Sequence, residues 1–396
     1  MIGRRPLTLV AALALLLVMA SAGSAEAAKR KVPFGFFGAS VPHQIYNPEL
    51  VSDATLEQHA ALMARSGVES ARVTFAWEDI ESAQGQYNLV RLDRLVSSAA
   101  RHGINVTINM TATPVWASDQ PTGNWWRLPP RDPNLYAELM RQLVLRYGPK
   151  GTLWSQNPSL PRVPVRRWQI WNEQTAPWHW ELRPWGPSYT QLLKASYQAI
   201  HGLDRGAKVI AGSLVAFGAN YAPWDGIKEL YRAGAKRYFD VVAIHPFTMA
   251  PSVTRTVDQT VEIVRRVRAQ MRRRGDSRKP IILTELTWPA SAGKVPKNAL
   301  LGLETTAGGQ KRRLQGAFSR LVQLRRQLGV TEAYWYSWAS EYDRDAPPSV
   351  MSFRYVGLVR SSGGSFSRMP LLKTYATLAA KYEGCRKGPD ARRCKR

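Results

Sequence analysis

From residue 34 onward the chain alternates short, β-rich apolar runs with longer amphipathic segments. The first run is Phe34–Gly38, followed by helical periodicity from Thr55 to Ser66. The second is Ala71–Trp77, with a helix over Leu89–Arg101. Asn105–Asn109 is third, then a long loop and a helix over Asn134–Tyr147. Arg167–Trp171 is fourth, then another long loop and a helix over Ser188–His201. Lys208–Ala211, Val241–Ile244, Pro280–Thr284 and Ala333–Ser337 are the last four runs. Their helices are expected at Trp224–Arg232, Thr256–Arg274, Gln310–Leu328 and Leu371–Tyr382. Strands that are apolar almost throughout are buried on both faces, as in a parallel sheet covered by helices. Eight such units predict the α/β class and a (β/α)8 TIM barrel. An open doubly wound sheet would need a glycine-rich nucleotide turn after its first strand, and Phe34–Ser40 contains no G-x-G-x-x-G entering a helix. No linker divides residues 34–382, so 28–382 reads as a single barrel domain.

The N-terminus has a different pattern. Arg4 and Arg5 precede an apolar run from Leu7 to Ala20, and small residues continue to Ala27. A basic region, an apolar core and an A-x-A site read as a secretory signal over residues 1–27. An uncleaved anchor is the alternative, but about 14 apolar residues are short for a membrane span. The expectation is a secreted or extracellular protein, not integral to the membrane once cleaved. The two cysteines, Cys385 and Cys394, lie in a basic tail over residues 383–396. In an exported chain they are candidates to close a small disulfide loop, two free thiols being the other reading.

Charge changes the picture less than its size suggests. There are 55 Lys+Arg against 29 Asp+Glu, a formal net charge of +26, and 40 of the 55 are Arg. A nucleic-acid partner would call for a recognised module or aromatics interleaved with the basic stretch. Neither is present, so no nucleic acid is expected. Arg265, Arg266, Arg268, Arg272, Arg273 and Arg274 fall on the sixth helix and its end, in the outer ring of a barrel. This basic surface suits an anionic cell-envelope polymer as a partner, and hence association with the cell surface.

In a barrel the chemistry sits where the strands end. Glu173 follows the fourth strand and Glu285 ends the seventh, both on apolar runs where a carboxylate needs partners. Two carboxyl groups facing one mouth are what glycosidic cleavage requires: one protonates the leaving oxygen, the other attacks or activates water. The loops after strands three and four are long and rich in tryptophan: Trp116, Trp125 and Trp126, then Trp178, Trp180 and Trp185. Aromatic rings stack on the apolar faces of sugars, and Trp178 and Trp180, close to Glu173, are the candidates to line a cleft. The six histidines show no paired metal-ligand spacing, so neither metal nor other cofactor is expected.

These residues taken together resemble clan A of the glycoside hydrolases, with features of families 39 and 5. The resemblance rests on Trp171-Asn172-Glu173 after strand four and on Thr284-Glu285 at the end of strand seven. Arg72 on strand two, Ile244-His245-Pro246-Phe247 at strand six, Trp338 after strand eight and the turn Gly85-Gln86-Tyr87-Asn88 extend it. It implies a retaining enzyme with Glu173 as acid/base and Glu285 as nucleophile. Arg72 would lie beside the nucleophile, Asn172 would bond the sugar 2-hydroxyl, and His245 and Trp338 would bind substrate. Two departures stand out. Gln174 and Thr175 follow the Asn-Glu pair where members often have Pro, and Phe247 stands where many have Tyr, with Tyr221 and Tyr336 as candidates to replace that hydroxyl. The implied function is secreted hydrolysis of a β-linked oligo- or polysaccharide. A transglycosylase, or a non-catalytic carbohydrate-binding barrel at the cell envelope, is the alternative.

Overall fold

In chain order the strands are β1 (Phe37–Val41), β2 (Ser70–Ala76), a hairpin of β3 (Glu81–Ala83) and β4 (Gln86–Tyr87), β5 (Asn105–Thr111), β6 (Arg167–Ile170), β7 (Lys208–Ala216), β8 (Val241–Pro246), β9 (Ile281–Leu286), β10 (Val330–Trp335), β11 (Ala339–Ser340), β12 (Val359–Ser362) and β13 (Ser365–Arg368). This computed structural model describes residues 29–120, 122–218, 221–340, 348–362, 364–384 and 388–394. The expected signal segment 1–27 lies outside the described residues, as does Cys385 and with it the candidate pairing to Cys394. Strands β1, β2, β5, β6, β7, β8, β9 and β10 pair in parallel, and β10 closes on β1 to complete a barrel. Helices α1 (Asp53–Arg65), α2 (Val90–Arg101), α3 (Pro133–Tyr147), the short α4 (Thr152–Gln156), α5 (Trp185–Leu203), α6 (Pro223–Arg232), α7 (Val253–Arg273), α8 (Ala307–Leu328) and α9 (Pro370–Glu383) complete the (β/α)8 architecture. No helix among the described residues is long and apolar enough to cross a membrane.

Local chemistry sets the boundaries. Ser52, Ser252 and Thr306 cap α1, α7 and α8 by accepting a backbone N–H three residues on, and Asp132 caps α3 just before Pro133. The first strand starts three residues later than the apolar pattern predicts. Gly35 sits in a turn at φ +92°, and its N–H donates to the buried Glu69 carboxylate at 2.8 Å, so Phe34–Gly35 cannot join the sheet. The hairpin and the small sheet β11–β12–β13 were not visible in the pattern, because strands of two to four residues leave no period to read.

The inside of the barrel is polar in two tiers. In the lower one, Arg167 Nε donates to Glu332 Oε1 at 2.7 Å and Tyr334 donates its hydroxyl to Glu332 Oε2 at 2.5 Å. The Thr107 hydroxyl pairs with that of Tyr334 at 3.1 Å. Tyr334 fits because Gly38 faces it: a Cβ at Gly38 would stand 2.5 Å from the ring. The upper tier joins Arg72, Gln169, Ser213 and Thr284 and forms the floor of the mouth. Outward-facing Val73, Ile108, Trp168 and Ile170 pack into one apolar core with the helices.

Glu332 is the one acid of the lower tier, and its removal strands a guanidinium and a phenol. Glu332→Ala should cost on the order of 3 kcal/mol in urea unfolding, and Glu332→Gln, which keeps acceptors and donors, distinctly less. Equal midpoints for the wild type and Glu332→Ala would show that the tier carries no stability.

Candidate active site

At the carboxyl ends of the strands lies a cavity of about 930 Å³, at the upper end of ordinary ligand pockets. Glu173, Glu285, Arg72, Asn172, Trp178, Phe247 and Tyr336 line it. Arg72, on β2 and only 2% exposed, organises the floor. Its Nη1 donates to Glu285 Oε1 at 2.9 Å, its Nη2 to Asn172 Oδ1 at 2.7 Å and its Nε to Gln169 Oε1 at 2.9 Å. One guanidinium thus orients residues from β6, the segment after β6, and β9, using its planar fork of donors. Gln169 holds its own place by donating to Trp171 O at 3.0 Å and Ser213 Oγ at 3.1 Å.

Glu173 is presented by a bent backbone. Trp171 has φ +67° and Glu173 φ +46°, a left-handed conformation that side chains other than glycine seldom adopt. Such residues cost on the order of 1–3 kcal/mol each and persist where their surroundings over-determine them. Here Trp171 N–H donates to Met110 O at 3.0 Å, Trp171 Nε1 to His179 O at 2.8 Å, and Ala176 N–H to Glu173 O at 2.8 Å. The Glu173 carboxylate then meets His245 Nδ1 at 2.6 Å through Oε1, and Trp178 Nε1 at 3.2 Å and His179 Nε2 at 3.4 Å through Oε2. His245 Nε2 stands 3.5 Å from Glu285 Oε1, so the imidazole lies between the two carboxylates. Burial pushes His245 down to about 3, Glu285 pulling upward and Arg72 downward, and the ring is therefore neutral at ordinary pH.

Of the residues expected to bind substrate, Arg72, Asn172 and Trp178 reach the cavity wall, while His245 is fully buried behind the two glutamates. Two tryptophans need correction. Trp180 is fully buried, edge-on to Trp171 at 5.0 Å and to Tyr189 at 5.6 Å; it supports the strained turn and does not line the cavity. Trp338 is also fully buried and donates Nε1–H to His59 Nδ1 at 3.1 Å, beneath β12 and β13. Tyr336 and Ser337 occupy the wall there instead, because β10 ends at Trp335 and the chain then turns outward. Of the two candidate tyrosines, Tyr336 shares the cavity with Glu285, and Tyr221 lies in a neighbouring one. Gln174 donates to Gly212 O at 3.2 Å and so ties this loop to β7. Sequence reasoning missed His179 and Gln169. Gln169 had a signal, since it is a polar residue in a buried strand, two positions on from Arg167; His179 had none apart from its place in the tryptophan-rich loop.

One donor atom each from Glu173, His245 and Glu285 lies within 4.8 Å of the other two, a spacing that suits a cation. The fixed charge of Arg72 already bonds Glu285, so the positive partner of that carboxylate is supplied by the chain itself.

The buried histidines make stability depend on pH. His59 is brought down to about 4 and His245 to about 3, both by burial, from an ordinary value of 6.5. As pH falls below 6.5 the unfolded chain takes up protons that the folded one refuses. Stability is therefore full above about pH 6.5 and declines as pH falls toward these lower values. The urea midpoint should drop across that window, and His59→Phe should flatten the drop. An unchanged slope in His59→Phe would refute the assignment.

Against known proteins, a family model described as beta-galactosidase, glycoside hydrolase family 42, matches residues 45–122. That stretch holds Arg72 but neither Glu173 nor Glu285. Similar solved structures include a family 39 glycoside hydrolase from Bacteroides cellulosilyticus WH2, at 18% identity and TM-score 0.58, covering 88% of this chain and 64% of that one. A family 39 β-xylosidase from Caulobacter crescentus aligns at 18% identity and TM-score 0.57, over 89% of this chain and 73% of that one. A family 5 mannosidase from Rhizomucor miehei aligns at 13% identity and TM-score 0.58, over 89% and 95%. No curated protein matches the chain in sequence. The chain spans about two thirds of the length of the Bacteroides protein. Its fold is a (β/α)8 barrel similar to those of these glycoside hydrolases.

Proposed function

We propose that the protein is a retaining glycoside hydrolase acting on a β-linked oligo- or polysaccharide, with Glu285 as nucleophile and Glu173 as acid/base. One observation carries the reading: oxygens of the two carboxylates approach within 4.8 Å at the floor of a sugar-sized cavity. Retaining enzymes hold their carboxyl groups about 5–5.5 Å apart, whereas inverting ones need about 6.5–9.5 Å to seat a water between them.

The steps follow from the bonds. Arg72 occupies Glu285 Oε1 and leaves Oε2 to attack the anomeric carbon as Glu173 gives its proton to the leaving oxygen. Water then displaces Glu285 from the glycosyl-enzyme and returns a proton to Glu173. Asn172 has its Oδ1 engaged by Arg72, so its amide N–H groups are directed to the sugar 2-hydroxyl. The neutral His245 has a single N–H. Its Nδ1–H donates to Glu173 Oε1 across 2.6 Å when that carboxylate is ionised, and so holds the acid/base in place.

Alanine variants with azide test the roles. Glu285→Ala and Glu173→Ala should each lose about 10²–10⁴ in kcat while remaining folded. Azide should rescue Glu285→Ala with an α-glycosyl azide and Glu173→Ala with a β-glycosyl azide. Full activity in either variant, or an inverted product anomer from the wild type by NMR, would overturn the proposal.

We also infer that the protein works outside the cell, held to an anionic envelope polymer. The sequence of residues 1–27 supports export. The packed pair α7 and α8 supports retention: it exposes Arg265, Arg272, Arg273, Arg312, Arg320 and Arg326, and Arg272 bonds Gln327 O across the pair at 2.9 Å. The mature protein should begin at Ala28, and moderate salt should elute it from envelope preparations. An uncleaved N-terminus, or retention indifferent to salt, would count against the corresponding half.

A further inference from the structure

The geometry points to a second sugar site: the cavity beside the catalytic one is a distal leaving-group subsite that holds a unit of the glycan beyond the scissile bond and so favours oligomeric substrates over short ones. This rests on the glycosidase reading of the first cavity. The second cavity measures about 380 Å³, near the lower end of small-molecule pockets, which suits one sugar unit. Phe247 forms a wall of both.

An aromatic path fixes which side of the cleaved bond it serves. Trp178 donates Nε1–H to Glu173 Oε2, and its ring stands edge-on to Tyr221 with centroids 4.9 Å apart. Tyr221 in turn lines the second cavity with Trp224. The path starts at the acid/base, not at the nucleophile. The acid/base delivers its proton to the leaving oxygen, so the glycan past that oxygen extends along this path.

The walls have the two-sided chemistry of a sugar ring. Tyr221, Trp224, Phe247 and Met249 supply apolar surface for C–H faces. Opposite them, Gln259, Glu262 and Arg266 stand at i, i+3 and i+7 on α7, hence on one helix face, and offer an amide, a carboxylate and a guanidinium to rim hydroxyls. The Arg266 guanidinium lies 3.5 Å over the Trp224 ring, a cation–π contact that joins the polar and aromatic walls. A sugar held here would also compete with water for the glycosyl-enzyme, which makes transglycosylation at high glycan concentration a property of the same subsite.

The test compares an aryl β-glycoside with β-linked gluco-, manno-, xylo- and galacto-oligosaccharides lengthened at the reducing end from disaccharide to hexasaccharide. Lengthening should raise kcat/KM about tenfold, the scale of one well-packed contact. Arg266→Ala and Gln259→Ala, on the exposed face of α7, should remove that gain and leave the aryl glycoside rate within about twofold. Trp224→Ala should remove it more completely. No gain with length, or an equal loss on both substrates, overturns the subsite. Calorimetric binding of the same oligosaccharides to the Glu285→Ala chain separates the two readings. Binding that depends on Arg266, with no turnover by the wild type of any glycan, would sustain the sugar site and sink the hydrolase. Turnover with binding indifferent to Arg266 and Trp224 would do the reverse.

Discussion

Everything at the mouth of this barrel depends on one buried guanidinium. Arg72 projects from the second barrel strand into a space almost closed to water, where an unpaired charge would be strongly destabilising. Its donors are met by Gln169, Asn172 and Glu285, and those three bonds join the second, fourth and seventh barrel strands. The requirement to pair this charge and the requirement to orient Glu285 are met by the same contacts. The site is thus a consequence of how the upper tier of the barrel closes.

The opposite carboxylate is held by different means. Glu173 sits on backbone that most residues avoid, and tryptophan indoles and backbone carbonyls keep it there. This divides the tryptophans into two groups by mechanism. Trp171, Trp180 and Trp338 are fully buried, so their work is support. Trp178 is partly exposed, bonds the carboxylate, and starts the aromatic path away from it. A buried imidazole stands between the two carboxylates, 2.6 Å from Glu173 and 3.5 Å from Glu285, and so joins the two supports.

Charge is partitioned in the same spirit. The large positive excess lies on outer helices such as α7 and α8, while the mouth balances Glu173 and Glu285 against Arg72. A basic exterior leaves the charge of the site itself little altered, because exposed charges are screened within about 10 Å at moderate salt.

Much of this was legible in the sequence, for definite reasons. Alternating apolar and amphipathic periods follow from burial of strands on both faces and of helices on one, so eight units specified the barrel. A strand's end in sequence is also its end in space, which is why Glu173 and Glu285 point to one mouth from the sequence alone. Side-chain direction near a strand end is another matter. Two residues of displacement past a strand end send a ring to the wall or to the interior, so Tyr336 lines the cavity where Trp338 was expected, and Trp178 does so while Trp180 does not. His179 and the second cavity are assembled from loops and from a face of α7 remote in sequence, with no local period to announce them. The architecture and the two carboxylates are legible in the chain, because burial and strand ends are written in local order. Which aromatic faces the cavity and how far apart the carboxylates stand emerge with the packing, because both depend on segments distant along the chain.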